Sequence, residues 1–231
     1  MPGRRLVERS PLTQDRVLES ATAIADRDGI DALTMRRLAD DLGVEAMSIY
    51  YHLPNKDAIL DGLVERTFAE IEGEVGGFGA QAPDVPWAQS LRARILAARR
   101  VMLRHPWVPK VMESRSTLGP TMARYVDGTV GIMHTGGLSF DLIHHALHAL
   151  GSRLYGFTQE LRMDGEPSDE AASAASESEL AQMMQLAPNL AAMLAEVVHD
   201  DPDSTLGWCD DQTEFEFGLD ILLEGLERRA R

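Results

Sequence analysis

Apolar side chains recur at three- and four-residue spacing along most of the chain, which is the pattern of amphipathic α-helices. The first such segment lies between Thr13, a good N-cap, and Gly29, a residue type that commonly ends helices. No segment shows the strict alternation that predicts a strand. The pattern therefore predicts an all-α fold of about ten helices. Beyond the first, the predicted helices lie at 34–42, 46–51, 55–71, 87–103, 107–113, 120–133, 140–161, 180–198 and 211–229.

Residues 34–56 combine two short helices with a tight turn. Thr34 is a good N-cap for the first helix, and Gly43 ends it because glycine tolerates a left-handed backbone. The second helix, at 46–51, is closed by Leu53-Pro54. A small residue, Ala39, stands one turn before the glycine, where two helices can approach closely. This arrangement predicts a helix-turn-helix.

The second of these helices carries side chains suited to DNA. Ser48, Tyr50, Tyr51 and His52, with Lys56 just beyond, offer hydroxyl, aromatic and cationic groups for phosphates, base edges and thymine methyls. The alternative interpretation is a pair of core helices that abut at a glycine, since helical hairpins are common.

The residues of this region resemble the DNA-binding domain of the tetracycline-repressor (TetR) family. The matching segments are Leu33-Thr-Met-Arg-Arg-Leu-Ala39, Leu42-Gly-Val-Glu45 and Ser48-Ile-Tyr-Tyr-His-Leu-Pro-Asn-Lys-Asp57. The resemblance implies that DNA contacts come from the residues at the family's contact positions. These are Thr34, Met35, Arg36, Ala46, Met47, Ser48, Tyr50, Tyr51, His52 and Lys56. Tetracycline repressors read bases with other side chains at the positions of Ala46 and Met47, so a different operator sequence is expected.

The formal net charge of −15 is unusual for a protein that binds DNA. Residues 1–60 hold eight Lys and Arg against ten Asp and Glu, whereas residues 61–231 hold 14 against 27. The acidity is therefore concentrated away from the predicted helix-turn-helix, which suits a protein that touches DNA at one end. Arg4, Arg5 and Arg9 lie in a basic arm at 1–11, which either reaches DNA or is a tail.

A segment rich in glycine and proline, at 74–86, divides the chain. It predicts a linker between a DNA-binding domain at 1–73 and an effector-binding and dimerisation domain at 87–231. The acidic, Ser- and Ala-rich segment 164–179 predicts a mobile loop. No stretch approaches the length of a membrane span, the N-terminus is no secretory signal, and Cys209 is the only cysteine. These features predict a cytoplasmic protein without an intrachain disulfide.

The second part of the chain also resembles the tetracycline-repressor type of C-terminal domain. The matching segments include Leu103-Arg-His-Pro106, Pro109-Lys-Val-Met112, Gly136-Gly-Leu-Ser139 and Phe217-Gly-Leu-Asp-Ile-Leu-Leu-Glu-Gly-Leu-Glu227. The resemblance implies a homodimer that binds a palindromic operator. Its helices at 140–161 and 211–229 would pair into a four-helix bundle, and a pocket would bind a small effector that releases DNA.

The sequence supports this dimer independently, because both of those helices are apolar on more than one face and carry glycines that allow close approach. The alternative is that they are central core helices of a monomer. The predicted interface residues are Leu147, Leu150, Gly151, Leu154, Phe215, Gly218, Leu219, Leu222 and Leu226.

The resemblance also bears on the effector. Met112 aligns with the histidine that holds drug-bound magnesium in tetracycline repressors, while Glu160 keeps the carboxylate position. A thioether is a poor ligand for Mg²⁺, so we expect no metal or other cofactor and a largely apolar pocket. The predicted lining residues are Trp107, Met112, Arg115, Met133, His134, His145, Leu147 and Glu160.

Two other functions, an enzyme and a helical adaptor, have some support in the sequence, and so does a metal site. His144 and His148 have metal-ligand spacing on one helix face, but no third ligand is evident. An enzyme could use His145 or His148 with Glu160 for acid–base chemistry, yet no nucleophile or cofactor motif accompanies them. A helical adaptor with an acidic body is the remaining alternative. The DNA-binding regulator accounts for more of the sequence than either.

Overall fold

The computed structural model describes residues 11–76, 84–115, 118–160, 184–189, 192 and 211–230. In these ranges all regular secondary structure is helical, which confirms the predicted all-α class. The chain divides into two compact units, one comprising the residues up to His144 and the other those from His145 to Arg229. Within the described ranges, no helix has the length and apolarity that crossing a membrane requires.

The predicted helices are confirmed to within a few residues wherever the chain is described. A 3-10 turn at Ile30–Ala32 adds to them. The helices are α1 (Gln14–Asp28), α2 (Met35–Leu42), α3 (Ala46–Tyr50), α4 (Lys56–Val75), α5 (Trp87–Arg104), α6 (Val108–Glu113), α7 (Pro120–Thr135), α8 (Phe140–Glu160) and α9 (Asp211–Arg229).

Side-chain caps and glycines set the ends of the N-terminal helices. Thr13, Thr34 and Asn55 each accept a backbone N–H from the residue three positions later, at 2.8–3.2 Å. These bonds satisfy amide groups that have no partner within the helix. Gly29 and Gly43 end α1 and α2 with positive φ angles of 80° and 65°.

The predicted linker begins later than its composition suggests. Gly73 lies inside α4, and the residue that ends this helix is Gly76, whose φ is 81° and whose N–H donates to Glu72 O. Residues 77–83 of the linker lie outside the described residues, so the division into domains at 74–86 stays a prediction. The basic arm up to residue 10, the loop at 164–179, Cys209 and most of the helix at 180–198 also lie outside them.

In the first unit, α4 packs against α1, α5, α6 and α7, and α1 in turn packs against α2 of the helix-turn-helix. A buried charge cluster lies at the centre of this packing. Arg94 on α5 pairs with Glu72 on α4, and it donates to Thr129 Oγ1 and Tyr125 O on α7 at 3.0 and 2.9 Å. Its guanidinium also lies 4.3 Å from the centre of the Tyr125 ring. One side chain therefore fixes three helices.

In the second unit, Arg153 joins α8 to α9. Its guanidinium donates to the backbone oxygen of Glu214 and lies 5.4 Å from the centre of the Phe215 ring. Gly218 makes room for this arginine, because a Cβ there would lie 2.7 Å from Arg153 Cζ. Gly218 thus serves packing inside one protomer.

Candidate DNA-binding surface and effector cavity

One side of α3 packs against the core, and the other side is exposed. Ile49 and Leu53 are buried and anchor the segment to the core. Met47, Tyr50 and Tyr51 point outward, with 66%, 40% and 87% of their surface exposed. The segment can therefore meet a ligand without any change in the core.

The turn between α2 and α3 depends on two small residues. Gly43 adopts the left-handed conformation, and the N–H of Val44 donates to Ala39 O at 3.0 Å. Ala39 is buried where the two helices meet, as its size predicts. This local geometry gives α3 its orientation.

All ten predicted DNA-contact residues reach the surface at least in part. Met35, Ala46 and Ser48 are half-buried. The exposed ones are Thr34, Arg36, Met47, Tyr50, Tyr51, His52 and Lys56. Their contact with DNA itself stays a prediction.

The cations around α3 differ in their availability to phosphates. Arg37 pairs with Asp28 at 2.6 Å, so its charge is partly engaged within the protein. Arg36 and Lys56 are exposed, and neither forms an ion pair with another described residue. Among the described residues near α3, these two cations, one on α2 and one at the start of α4, are accessible for contact with DNA, which stays a prediction.

A contact that the sequence did not predict joins the 3-10 turn at Ile30–Ala32 to α6. Lys110 Nζ lies 2.5 Å from Asp31 Oδ2, and this hydrogen bond with its charge lowers the pKa of Asp31. The two residues are separated by 79 positions in the sequence. Only the folded chain brings them together.

A second polar cluster fixes the end of α5 to α1 and α4. The His105 ring nitrogens lie 2.8 Å from Asp26 Oδ1 and 3.0 Å from Glu70 Oε2. Arg104 also binds Glu70, at 2.6 Å. Burial favours a raised pKa for Glu70, but the hydrogen bonds from Arg104 and His105 outweigh it and lower the pKa. Trp107 Nε1 donates to the same Asp26 oxygen at 2.6 Å.

A cavity of about 440 Å³ lies between α4, the end of α6 and the start of α7. Met112 and Arg115, two of the eight residues predicted to line an effector pocket, contribute to its wall. The other lining residues are Asp61, Val64, Glu65, Leu118, Gly119, Pro120 and Met122. The wall is thus mainly apolar with three charged side chains, a mixture typical of small-molecule sites.

The charged side chains of the cavity join α4 to Arg115, which follows α6, and to the start of α7. Arg115 donates to Asp57 Oδ1 at 2.9 Å and contacts Asp61 Oδ1 at 2.8 Å. The hydrogen bond that Arg115 donates to Asp57 is the main reason that the pKa of Arg115 is raised. Glu65 Oε2 accepts the backbone N–H of Thr121 at 2.9 Å. Gly119 permits this contact, since a Cβ there would lie 1.9 Å from Glu65 Oε1.

Sequence reasoning missed the α4 wall of this cavity, although a signal for it was present. Asp57, Asp61 and Glu65 recur every four residues and therefore share one face of α4. Carboxylates in a row on a helix that also packs in the core repel one another, so the row predicts a cationic partner nearby. Arg115 is that partner for the first two.

The other predicted pocket residues do not line this cavity. Trp107 is buried and engaged with Asp26, and Met133 is fully buried in the core. His134 stacks on Phe140, with ring centres 4.4 Å apart. His145 is exposed, Leu147 is half-buried, and the side chain of Glu160 lies outside the described residues. Among the described residues, no cluster of His, Cys, Asp and Glu could hold a metal ion.

The predicted interface residues fall into two groups. Leu150, Leu154, Phe215 and Leu219 are buried within the protomer, so their side chains are not free to meet a partner. Leu147, Gly151, Gly218, Leu222 and Leu226 are half-buried. The large apolar residues exposed on α9 are Phe217 and Ile221, which the prediction did not include. The dimer and its interface stay a prediction.

Comparison with known proteins identifies both parts of the chain. Residues 17–63 match the family model of bacterial regulatory proteins of the tetR family. Residues 80–230 match the model of the tetracyclin repressor-like C-terminal domain. The chain is 30% identical to the HTH-type transcriptional repressor DrrR1 of Streptomyces coeruleorubidus over 216 residues, which cover 94% of this chain and 77% of that protein. It is 24% identical to the class C tetracycline repressor of Escherichia coli, over 94% and 91% of the two chains.

Solved structures agree over nearly the whole length. ActR of Streptomyces coelicolor in complex with (S)-DNPA superimposes with a TM-score of 0.72 and 26% identity. The match covers 96% of this chain and all of ActR. ActR in complex with actinorhodin gives a TM-score of 0.70 and 25% identity. The chain therefore belongs to the tetR family of bacterial regulatory proteins and is a ligand-responsive DNA-binding transcriptional regulator, not an enzyme.

Proposed function

We propose that this regulator is a homodimeric repressor of a palindromic operator, and that a small, largely apolar effector releases it from DNA without a metal ion. The observation that supports this most directly is the course of α4. This helix carries Lys56 at the end beside α3 and Asp61, Val64 and Glu65 in the cavity wall. Such a repressor acts in the cytoplasm, where bacterial DNA lies.

Helix α4 provides a short mechanical path from the cavity to the DNA-binding surface. Nine residues separate Lys56 from Glu65, which corresponds to about 14 Å along a continuous helix. A ligand that contacts this wall can favour one position of α4 over another. Release of DNA requires that the effector bind more tightly when the two α3 helices no longer match half-sites about 34 Å apart.

The relatives support an effector of this kind. ActR, whose structure matches 96% of this chain, was solved in complex with actinorhodin and with (S)-DNPA. Among the side chains of the cavity here, Met112 and Met122 are flexible apolar groups that conform to varied ligands. Arg115 and Glu65 supply the polar contacts that orient a ligand in such a cavity.

The DNA-binding role makes a direct prediction for two exposed residues. Tyr51→Ala and Lys56→Ala should each weaken binding to all operator variants to a similar degree, because both side chains are exposed and we expect them to contact phosphates. Lys56→Ala should also reduce the slope of log affinity against log salt by about 1 per half-site. Fluorescence anisotropy with a selected operator at several salt concentrations measures both effects.

Arg228→Ala is the matched control, because it removes an exposed cation from α9 and leaves the helix-turn-helix intact. Its operator affinity should equal that of the wild type. If repeated selection from random DNA with the wild-type protein yields no palindromic sequence, the proposed repressor function is wrong.

The identity of the effector class is tested by release of DNA. Tetracycline with Mg²⁺ should leave the operator complex intact at micromolar concentrations, because Met112 is a poor ligand for a hard cation. Actinorhodin, (S)-DNPA and other largely apolar compounds should be screened in parallel, and any release should persist in EDTA. Release by tetracycline that depends on Mg²⁺ and disappears in EDTA would refute the metal-free site.

A cavity-filling variant tests whether a compound that releases the protein from DNA acts by binding in this cavity. Met112→Trp should abolish release by the active compound while operator affinity is unchanged, because Met112 lines the cavity. Leu103→Trp, at an exposed position of α5 that does not line it, serves as the control and should respond like the wild type.

A further inference from the structure

One carboxylate in the wall of the cavity between α4, α6 and α7 has no cationic partner among the described residues. The ion pairs of Arg115 go to Asp57 and Asp61. Glu65 also lines the cavity, and its Oε2 accepts the backbone N–H of Thr121 at 2.9 Å. Glu65 Oε1 is buried and has no hydrogen-bond partner in the described part of the chain. A buried carboxylate oxygen without a donor is costly, so the cavity favours a ligand that supplies one.

Capping of α7 explains the position of Glu65 Oε2 but leaves Oε1 unexplained. Helix α7 begins at Pro120, which has no N–H, and Gly119 before it has no side chain that could cap the helix. Glu65 therefore reaches across from α4 to satisfy the N–H of Thr121. The helix dipole contributes only about half a unit of positive charge at this end. The negative charge of Glu65 is thus not balanced by its structural role.

The rest of the wall determines which sign of charge a ligand should carry. Arg115 is the single cationic residue among the described residues that line the cavity, and two aspartates hold it at 2.9 and 2.8 Å. Three carboxylates therefore accompany one guanidinium. An anionic ligand would be repelled by Glu65 and would have to displace an aspartate from Arg115, whereas a cation would be attracted. Because the other lining side chains are apolar, the body of the ligand should be apolar as well.

We propose that the effector is an organic cation, in which an apolar body carries one protonated amine, and that Glu65 binds the ammonium group. This inference rests on the proposed function, because it takes this cavity as the effector site. An ammonium group has three donors and each carboxylate oxygen can accept twice, so Glu65 can bind it and still cap Thr121. Rotation about the terminal torsion of glutamate, which is soft, brings an unpaired acceptor to the cavity. Asp61, one turn earlier on the same face of α4, adds negative charge.

Three matched compounds test the sign of the charge: phenylbutylamine, phenylbutanol and phenylbutyrate, each with its ring at the end of the chain. They share an apolar body and carry an ammonium, a hydroxyl and a carboxylate group. The amine is protonated at neutral pH, since the similar alkyl ammonium of lysine has a pKa of about 10.4. In isothermal titration calorimetry with the free full-length protein, the amine should bind about ten-fold or more tightly than the alcohol, as expected for a charged hydrogen bond. The carboxylate should bind most weakly.

Protein variants test whether the ammonium group lies at Glu65. Glu65→Gln keeps the length of the side chain and an acceptor for Thr121 but removes the charge, so it should bind the amine and the alcohol equally. Asp127→Asn removes a charge from an exposed position of α7 outside the cavity and should keep the wild-type preference. Met112→Trp, which fills the cavity, should bind neither compound. Circular dichroism on the same samples shows whether each variant is folded.

The outcomes separate this inference from the repressor function, because the calorimetry uses protein without DNA. Phenylbutylamine that binds no more tightly than phenylbutanol, or that does not bind at millimolar concentration, would overturn the ammonium site and leave the repressor intact. An amine preference that persists in Glu65→Gln would overturn the role of Glu65. If Glu65→Gln does not fold, the wild-type comparison decides, since equal binding there already refutes the proposal. Failure to select any operator, with the amine preference present, would instead remove the repressor function.

Discussion

Replacement of Arg94 by methionine should lower the free energy of unfolding by about 3–5 kcal/mol. Arg94 and Glu72 are only 2% and 4% exposed, so the variant would leave the Glu72 carboxylate buried without its partner. It would also remove the donors to Thr129 and to the backbone oxygen of Tyr125. Urea unfolding followed by circular dichroism measures the loss.

Two further variants show whether burial of the charge is the cause. Arg94→Met combined with Glu72→Leu should recover much of the lost stability, because the double variant leaves no isolated charge in the core. Arg100→Met removes another arginine of α5, which pairs with Glu74 at 3.1 Å on the exposed side. Its loss should stay below about 1 kcal/mol. A single Arg94→Met variant as stable as Arg100→Met would contradict the assigned role of the buried pair.

The helices could be predicted from the sequence because their signals are local. Thr34, Gly43 and Asn55 act on backbone groups within a few residues, so the residue type alone indicates the start or end of a helix. The same holds for the outward face of α3, where spacing from Ile49 already separates the anchoring side from the exposed side. The exposure of this face therefore follows from local spacing, whereas its contact with DNA stays a prediction.

The cavity could not be predicted to the same extent, because its walls come from distant parts of the chain. Trp107 has the size and character of a pocket residue, and no local pattern shows that its ring nitrogen binds Asp26, 81 residues away. Met112 was predicted from the family resemblance and Arg115 as a polar group of the pocket, whereas Glu65 and Gly119 become visible as a pair only in the fold. Residue type alone does not distinguish a core side chain from a lining one.

The sequence also does not show which side of α9 is buried within the protomer. The sequence indicates that this helix is apolar on more than one side, but it does not show which side meets the same protomer. In the structure Phe215, Leu219 and Leu223, spaced by four residues, are buried. Phe217 and Ile221, also four residues apart, are 64% and 54% exposed. The second stripe is the surface that a partner subunit can cover.

We therefore expect Phe217→Glu combined with Ile221→Glu to convert the dimer to a folded monomer. Both side chains are exposed in the protomer, so the helical content should stay that of the wild type, while two charges in a dimer interface would lack partners. Leu150→Glu would be less informative, because Leu150 is buried and its replacement should unfold the protomer itself. Sedimentation velocity and circular dichroism on the same samples distinguish these results.

Loss of the dimer should also weaken operator binding by about 10²–10⁴-fold, because the second half-site would no longer be bound as part of the same molecule. Leu103→Glu introduces the same charge at an exposed apolar position of α5 and should leave both dimer and affinity unchanged. A Phe217→Glu, Ile221→Glu protein that still sediments as a dimer would place the interface elsewhere. A monomer that kept wild-type affinity would show instead that each half-site is bound independently, contrary to the proposed repressor.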